Sequence, residues 1–362
     1  GYLTVSDLNE SSKNEADNFS TSGKSKLTVS DKEGKPLYWD DFSNSASDDT
    51  DLRTSGHYLQ SYYGYCYNGK TGVTESETDQ STGTWLKPST GELSGWTIQT
   101  NQNTGANLTN SDLLWSSSQD PVPYAHATFN GGVEHGKLTV PYSHAMSKVT
   151  IEVNLDKGFG DDVTKNFPAT SKVTVKAQTK CIVLAPTSKV TPSTDAADKK
   201  GVTMKKGTTE AKKCTFEAII APTMLTPVAD VATATSAQAF ATIEGIDGNK
   251  YDIFLTDAIM RPLQTDNTTP KTDAWSNKLA AYNATSVGPE STGYTAANGG
   301  TTIPGVNYKL VVTISKQEIK VVATIADWTN VEASAKGEIN FTTDIAGPDE
   351  NTFETTFDLY SK

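Results

Sequence analysis

Val-Pro-Tyr-Ser-His-Ala-Met-Ser-Lys-Val-Thr-Ile-Glu-Val-Asn-Leu, residues 140–155, decides the fold class. Val149, Ile151, Val153 and Leu155 point to one side; Thr150, Glu152 and Asn154 point to the other. Such strict alternation predicts a strand with one face in a core and one in water. Its lead-in is less ordinary: Pro141, then the step His144-Ala145-Met146-Ser147-Lys148. The same clarity returns between Asn307 and Trp328. Leu310, Val312 and Ile314 alternate, as do Ile319, Val321, Ala323 and Ile325, around a short turn at Ser315–Gln317. That pattern predicts a hairpin.

Composition agrees with a β architecture. The 362 residues suit two domains or one large β domain. Only 35% of them are hydrophobic, so the core must be thin and spread out, as in β-sandwiches. Abundant Ser, Thr, Asn, Asp and Gly favour turns and strands over long helices. The Ala/Thr-rich stretch from Val228 to Phe240 is the best helical candidate and reads ambiguously. A formal net charge of −12 argues against a nucleic-acid partner. The pairs Lys199-Lys200, Lys205-Lys206 and Lys212-Lys213 fall in loops and strand ends. No apolar run of about 18 residues is present. A polar start at Gly1 reads as a mature or truncated beginning with a targeting segment removed.

Turn signals divide the chain. Residues 1–21 are polar and aperiodic and read as a flexible leader. Leu27-Thr28-Val29 and Leu37-Tyr38-Trp39 bracket the turn residues Asp31–Pro36 and predict a hairpin. Glycine, paired aspartates and Pro168 place a boundary within 156–170. The expected organisation is all-β: two tandem antiparallel β-sandwich domains, residues 22–165 and 166–362. In the second, Asp247-Gly248 supplies the turn of a hairpin between Phe240 and Leu255. The strand-poor stretch from Met260 to Gly305 is long enough to suggest a contact region.

Three places together resemble the fimbrillin-like family, the surface lipoproteins of type V pili. The first is Asp112-Leu113-Leu114-Trp115 ahead of His144-Ala145-Met146-Ser147-Lys148. The second is Asn307-Tyr308 entering a hairpin that turns at Ser315-Lys316, and the third is the return strand ending Ala326-Asp327-Trp328. Each motif is short, but their order runs through both halves. The resemblance implies two transthyretin-like sandwich domains, export, and an outer-membrane lipid anchor upstream of Gly1. It implies a structural or adhesive role at the cell surface without catalysis or cofactor. Expected partners are other pilus subunits and a host protein or glycan receptor. In stalk subunits of the family an arginine-specific protease cuts a first-domain loop, the first strand leaves, and a strand from another subunit fills the groove.

Residues can be matched to those steps. Arg53 and Arg261 are the chain's two arginines, and Arg53 sits in a polar acidic loop. Exposed polar loops are where proteolysis concentrates, so Arg53 is the candidate maturation site. It also reads as an ordinary loop arginine beside Asp49 and Asp51. The displaced segment would carry Leu27, Val29, Leu37 and Trp39, a costly loss unless a partner strand replaced them. Phe353, Thr355, Phe357 and Leu359 alternate within 352–360 and form a candidate donor strand. The same pattern fits a plain last strand.

Other chemistry is poorly supported. His126, His135 and His144 follow one another at nine-residue steps that match no metal motif, and His57 stands apart. No nucleophile, zinc-helix, phosphate-loop or dinucleotide signature occurs. Asp40-Asp41 and Asp161-Asp162 read as solvated loops rather than glycosidase acids. Asp49 and Asp51 lack the rest of a calcium loop. Cys66, Cys181 and Cys214 make an odd number, with Cys181 and Cys214 either bridged or buried as free thiols. A different class is a surface glycan-binding module. Its aromatic platform would come from Trp85, Trp96, Trp115 and Trp275 with Tyr58, Tyr62, Tyr63 and Tyr65.

Overall fold

The computed structural model describes residues 2–5, 27–30, 58–59, 62–67, 73–75, 83–87, 90–118, 122–123, 139–246, 248–315, 319–326, 328 and 331–334. Among these the protein is all-β, with only short helical turns.

The alternating stretch becomes Ser147–Leu155, the middle strand of a central sheet. The order across that sheet is Lys205–Thr209, Lys213–Ile220, Ser147–Leu155, Asn307–Ile314, Ile319–Ala326. Val149, Ile151, Val153 and Leu155 are buried, while Glu152 and Asn154 are only half covered on the other face. The expected C-terminal hairpin is present, with Leu310 opposite Ala323 and Val312 opposite Val321. Among the described residues, parallel pairings depart from the all-antiparallel expectation, and the longest has Ser147–Leu155 parallel to Asn307–Ile314, Ile151 beside Leu310.

The strand read as closing the first half lies at the centre of a sheet whose other members all come from the second half. The chain changes sheets at Ala145-Met146, where Thr139–His144 ends and Ser147–Leu155 begins. A third sheet also mixes the halves, because Lys180–Leu184 pairs with Glu92–Thr97. The glycine- and aspartate-rich stretch after Leu155 is a compact connection. Asp162 caps the turn Val163–Asn166, accepting hydrogen bonds from the Thr164 and Lys165 amides. The Asn166 amide group donates to the Gly160 and Ala211 carbonyls.

An N-terminal sheet has the order Leu27–Ser30, Tyr2–Val5, Tyr62–Tyr67, Leu113–Ser118, Thr139–His144, Val331–Ser334. Tyr2–Val5 therefore forms a strand inside the stretch read as leader, and it occupies the place beside Leu27–Ser30. A fourth sheet runs Lys199–Thr203, Lys172–Gln178, Ala241–Ile246, Asn249–Ile253. Gly245 bulges its hairpin with φ +84°, and Gly248 carries the expected positive φ at +74°. Between Val228 and Phe240 only Ser236–Gln238 is helical, as one short turn.

One continuous core joins these sheets, from Tyr65, Trp96 and Trp115 through Val149, Ile151 and Phe216 to Tyr308 and Leu310. Each such aliphatic side chain contributes about 1.5–3 kcal/mol by leaving water. The stretch from Met260 to Gly305 is more packed than its sequence suggested. Ala274, Trp275, Leu279, Val287 and Ile303 from it are buried. The Trp275 indole donates to the Thr324 carbonyl at 2.7 Å and meets Phe240 and Tyr308 edge-on.

Candidate functional site

Three motif segments far apart in sequence meet at one junction. The helix Gly105–Thr109 is capped by Thr104, whose hydroxyl accepts from the Asn107 amide. The Ser111 and Asp112 amides then donate to the Leu108 and Thr109 carbonyls, which delivers Asp112 to the start of Leu113–Ser118. That strand pairs with Thr139–His144, Leu114 opposite His144. The register brings the His144 Nδ1 to 2.9 Å from one Asp112 carboxylate oxygen and 3.1 Å from the other. Both residues are about 5% exposed. From the C-terminal hairpin, Trp328 lays its indole flat on the imidazole, with centroids 3.6 Å apart and planes at 18°.

The rest of the His-Ala-Met-Ser-Lys step is fastened to residues 303–307. Ser147 Oγ donates to the Ile303 carbonyl, and the Gly305 amide donates to the Met146 carbonyl. The Lys148 amide donates to Val306, while its ammonium lies 3.2 Å from the Glu217 carboxylate. Thr150 donates its hydroxyl to Asn307 Oδ1. A buried Asp–His pair is also part of hydrolase triads. Among the described residues, however, no serine, threonine or cysteine side chain bonds to His144, and the stacked indole covers the ring face. The arrangement suits clamping, not proton transfer.

A second feature lies at the edge of the N-terminal sheet. Tyr2–Val5 runs parallel to Tyr62–Tyr67, Leu3 beside Gly64, and Leu27–Ser30 lies outside it. Leu27 and Val29 sit opposite Val5 and Leu3. The strand Tyr62–Tyr67 is anchored from the opposite direction by Tyr65. Its hydroxyl accepts from the Ala185 amide at 2.9 Å and is within donating distance of the Gly91 and Val183 carbonyls. Burial pushes that phenol well above the ordinary tyrosine range.

The other expected sites fall variously. Arg53, Leu37, Trp39, Phe353, Thr355, Phe357 and Leu359 lie outside the described residues, as do His57, His126 and His135. The aromatic platform is not formed by its main candidates. Trp85, Trp96, Trp115, Trp275 and Tyr65 are all buried, because each sits on an inward position of its strand or turn. The three cysteines are buried and not bridged to one another. Cys181 Sγ lies 4.0 Å from Met146 Sδ, and Cys214 Sγ lies 3.4 Å from Thr209 Oγ1. Asp161 pairs with Lys212 while Asp162 caps its turn, so neither serves a catalytic pair. Among the described residues no group of three potential metal ligands is gathered.

Sequence reading picked out His144, Asp112 and Trp328 but not their contact, which needs the sheet register. It passed over Gln102 altogether. This fully buried side chain donates to the Ile219 carbonyl at 2.7 Å and accepts from the Ile219 amide at 2.8 Å, as a neighbouring strand would. A lone glutamine in a polar stretch carries no signal for that role.

No family model matches the chain, and no curated protein matches it. Solved structures do. One is a candidate cell adhesion protein from Bacteroides ovatus ATCC 8483, at 13% identity and TM-score 0.40, covering 91% of this chain and 86% of that one. Another, from Bacteroides uniformis ATCC 8492, is of the same description, at 15% identity and TM-score 0.36, covering 67% and 68%. The tip fimbrial protein Mfa3 from Porphyromonas gingivalis, with a C-terminal truncation, aligns at 12% identity and TM-score 0.33, covering 61% and 65%. These neighbours are fimbrial and adhesion proteins, not enzymes, the class that the sequence motifs resemble. At such low identity and TM-score they leave the function of this chain to its own residues.

Proposed function

We propose that this protein is an adhesive structural subunit of a cell-surface fimbria that joins its neighbours by strand exchange. One observation carries the reading: Tyr2–Val5 and Leu27–Ser30 are the two outermost strands at one edge of their sheet, and both precede Arg53. A single cut at Arg53 frees both strands together. Their departure leaves the backbone groups of Tyr62–Tyr67 without a ladder on that side, and an edge in that state accepts an added strand. Tyr65 supports the reading, since it ties Tyr62–Tyr67 to residues 183–185 independently of the departing strands. The incoming strand would be the alternating segment 352–360 of another copy or of a related pilus subunit, with Phe353, Phe357 and Leu359 filling positions vacated by Leu27 and Val29. A lipid anchor at the outer membrane and a host receptor belong to the same proposal.

Limited digestion with an arginine-specific protease tests it. The new N-terminus is read by mass spectrometry and the assembly state by size-exclusion chromatography. Cleavage at Arg53 followed by oligomers is the expected result, with an Arg53→Lys variant staying intact and monomeric. Resistance at Arg53, or a cut chain that stays monomeric, would overturn strand exchange for this protein.

A further inference from the structure

A cavity of about 230 Å³ opens beside the fourth sheet, away from both features described above. Its origin lies in strand alternation. On Lys172–Gln178 the side chains of Val173, Val175 and Ala177 are buried in the core, so Lys176 and Gln178 point to the other face. Lys199 of the neighbouring strand lies directly opposite Gln178, and Gly201 lies opposite Lys176. The loop from Met224 to Phe240 folds over this face. It is stitched down where the Val228 amide donates to Leu255, the Phe240 amide to Ile253, and the Lys176 amide to Phe240.

The walls have two characters. Leu225, Val228, Phe240 and Leu255 are buried and apolar. Lys176 and Lys199 supply two ammonium groups. Lys176 donates to the Ser236 and Ala237 carbonyls at 2.8 and 2.9 Å, and Lys199 makes one long contact of 3.4 Å to the Met224 carbonyl. Among the described residues neither lysine forms an ion pair. Asp252, whose charge reaches Lys176, is turned to Ser236 and Thr242. Partial burial and the Lys176 charge hold the Lys199 amine below the usual lysine value, as expected of cations gathered without a counter-ion.

We propose that this cavity binds a small carboxylate with an apolar body: the acid group lies between Lys176 and Lys199, and the body rests on Leu225, Val228, Phe240 and Leu255. The size fits, since pockets for drug-sized ligands run about 300–1,000 Å³ and this one is smaller. The charge fits as well, because two ammonium groups lacking a carboxylate partner are satisfied by an anion that brings its own apolar cover. The site is independent of strand exchange and stands whether or not Arg53 is cut.

Benzoate is the probe, with benzamide as its neutral counterpart and inorganic sulfate as an anion without an apolar body. Titration is followed by amide shifts in two-dimensional NMR on the intact chain. Saturable benzoate binding that shifts Val228 and Phe240 is expected, at least about tenfold tighter than benzamide or sulfate. Lys199→Gln, a change at the exposed rim, should weaken benzoate by about tenfold without moving the melting temperature. Lys176→Gln, which also gives up the hydrogen bonds to Ser236 and Ala237, should weaken benzoate to a similar degree in a second background. The proposal is overturned if benzoate shows no saturable shift at these residues. Equal binding of benzoate and benzamide, equal binding of benzoate and sulfate, or benzoate binding indifferent to both substitutions would overturn it too.

Discussion

His144 and Trp328 stack face to face although about half the chain separates them, and Asp112 holds the edge of the same imidazole. The contact joins the end of Thr139–His144, in the N-terminal sheet, to the second residue past the edge strand Ile319–Ala326 of the central sheet. Replacing His144 by Leu leaves the Asp112 carboxylate buried without its partner, at an expected cost of about 3–5 kcal/mol. The double change Asp112→Leu/His144→Leu should recover much of that loss. Urea unfolding of the two single variants and the double variant checks it; simple additivity would show that the pair is not coupled.

Trp275 separates packing from hydrogen bonding. Trp275→Ala opens a hole between Phe240 and Tyr308 and should cost about 3–5 kcal/mol. Trp275→Phe keeps most of the volume but strands the Thr324 carbonyl, for about 1–3 kcal/mol. Equal destabilisation of the two variants by chemical denaturation would mean that the indole N–H, not the ring, holds the Met260–Gly305 stretch in place.

Glu152 gives the acid response a direction. Burial alone would raise its carboxyl, but hydrogen bonds from Lys309, Asn154 and Lys213, with the Lys309 charge, outweigh this and leave it below the ordinary 4.5. Its stabilisation is therefore complete above that ordinary value and fades as pH falls through the depressed folded value. The lysines are 35% and 42% exposed, which limits the contribution to about 0.5–1 kcal/mol. Glu152→Gln should lower stability at neutral pH, and the difference from the parent should shrink steadily as the pH drops below 4.5. A difference that stays constant in acid would place the effect in packing.

Two glycines with positive φ should respond unequally to alanine. At Gly248, φ is +74° and a Cβ meets nothing within 4 Å, so only backbone strain of about 1 kcal/mol is expected. At Gly299, φ is +83° and a Cβ would run into the Leu225 carbonyl. Gly299→Ala should loosen the small sheet of Met224–Leu225, Gly300–Thr302 and Leu279–Ala280. Hydrogen exchange at the Thr302 amide, which donates to Thr223, should then accelerate far more than in Gly248→Ala. Similar exchange in both variants would count against a steric role.

Legibility in the sequence tracked solvent contact. Ser147–Leu155, Asn307–Ile314 and Ile319–Ala326 are readable because apolar side chains alternate with polar or less buried ones along each, which gives a two-residue period. Their neighbours are not, since alternation encodes a face and says nothing of which strand lies alongside. Alternation alone therefore reads Ser147–Leu155 with the half before it, although it pairs with two strands after it. The buried content of Met260–Gly305 is hidden for another reason: Trp275, Leu279, Val287 and Ile303 follow no period, because short turns and strands of two or three residues deliver them. Lys199 reads as one of a lysine pair in a loop or strand end, and the cross-strand register with Gln178 puts it over a cavity.

The parallel pairing of Ser147–Leu155 with Asn307–Ile314 has a mechanical consequence. Tension that pulls these two strands in opposite directions along their length loads every rung of the ladder from Lys148–Asn307 to Leu155–Ile314 at once, in shear. A hairpin pulled from its open end instead peels one rung at a time. With Lys213–Ile220 paired along its other side, Ser147–Leu155 is held by two ladders at once.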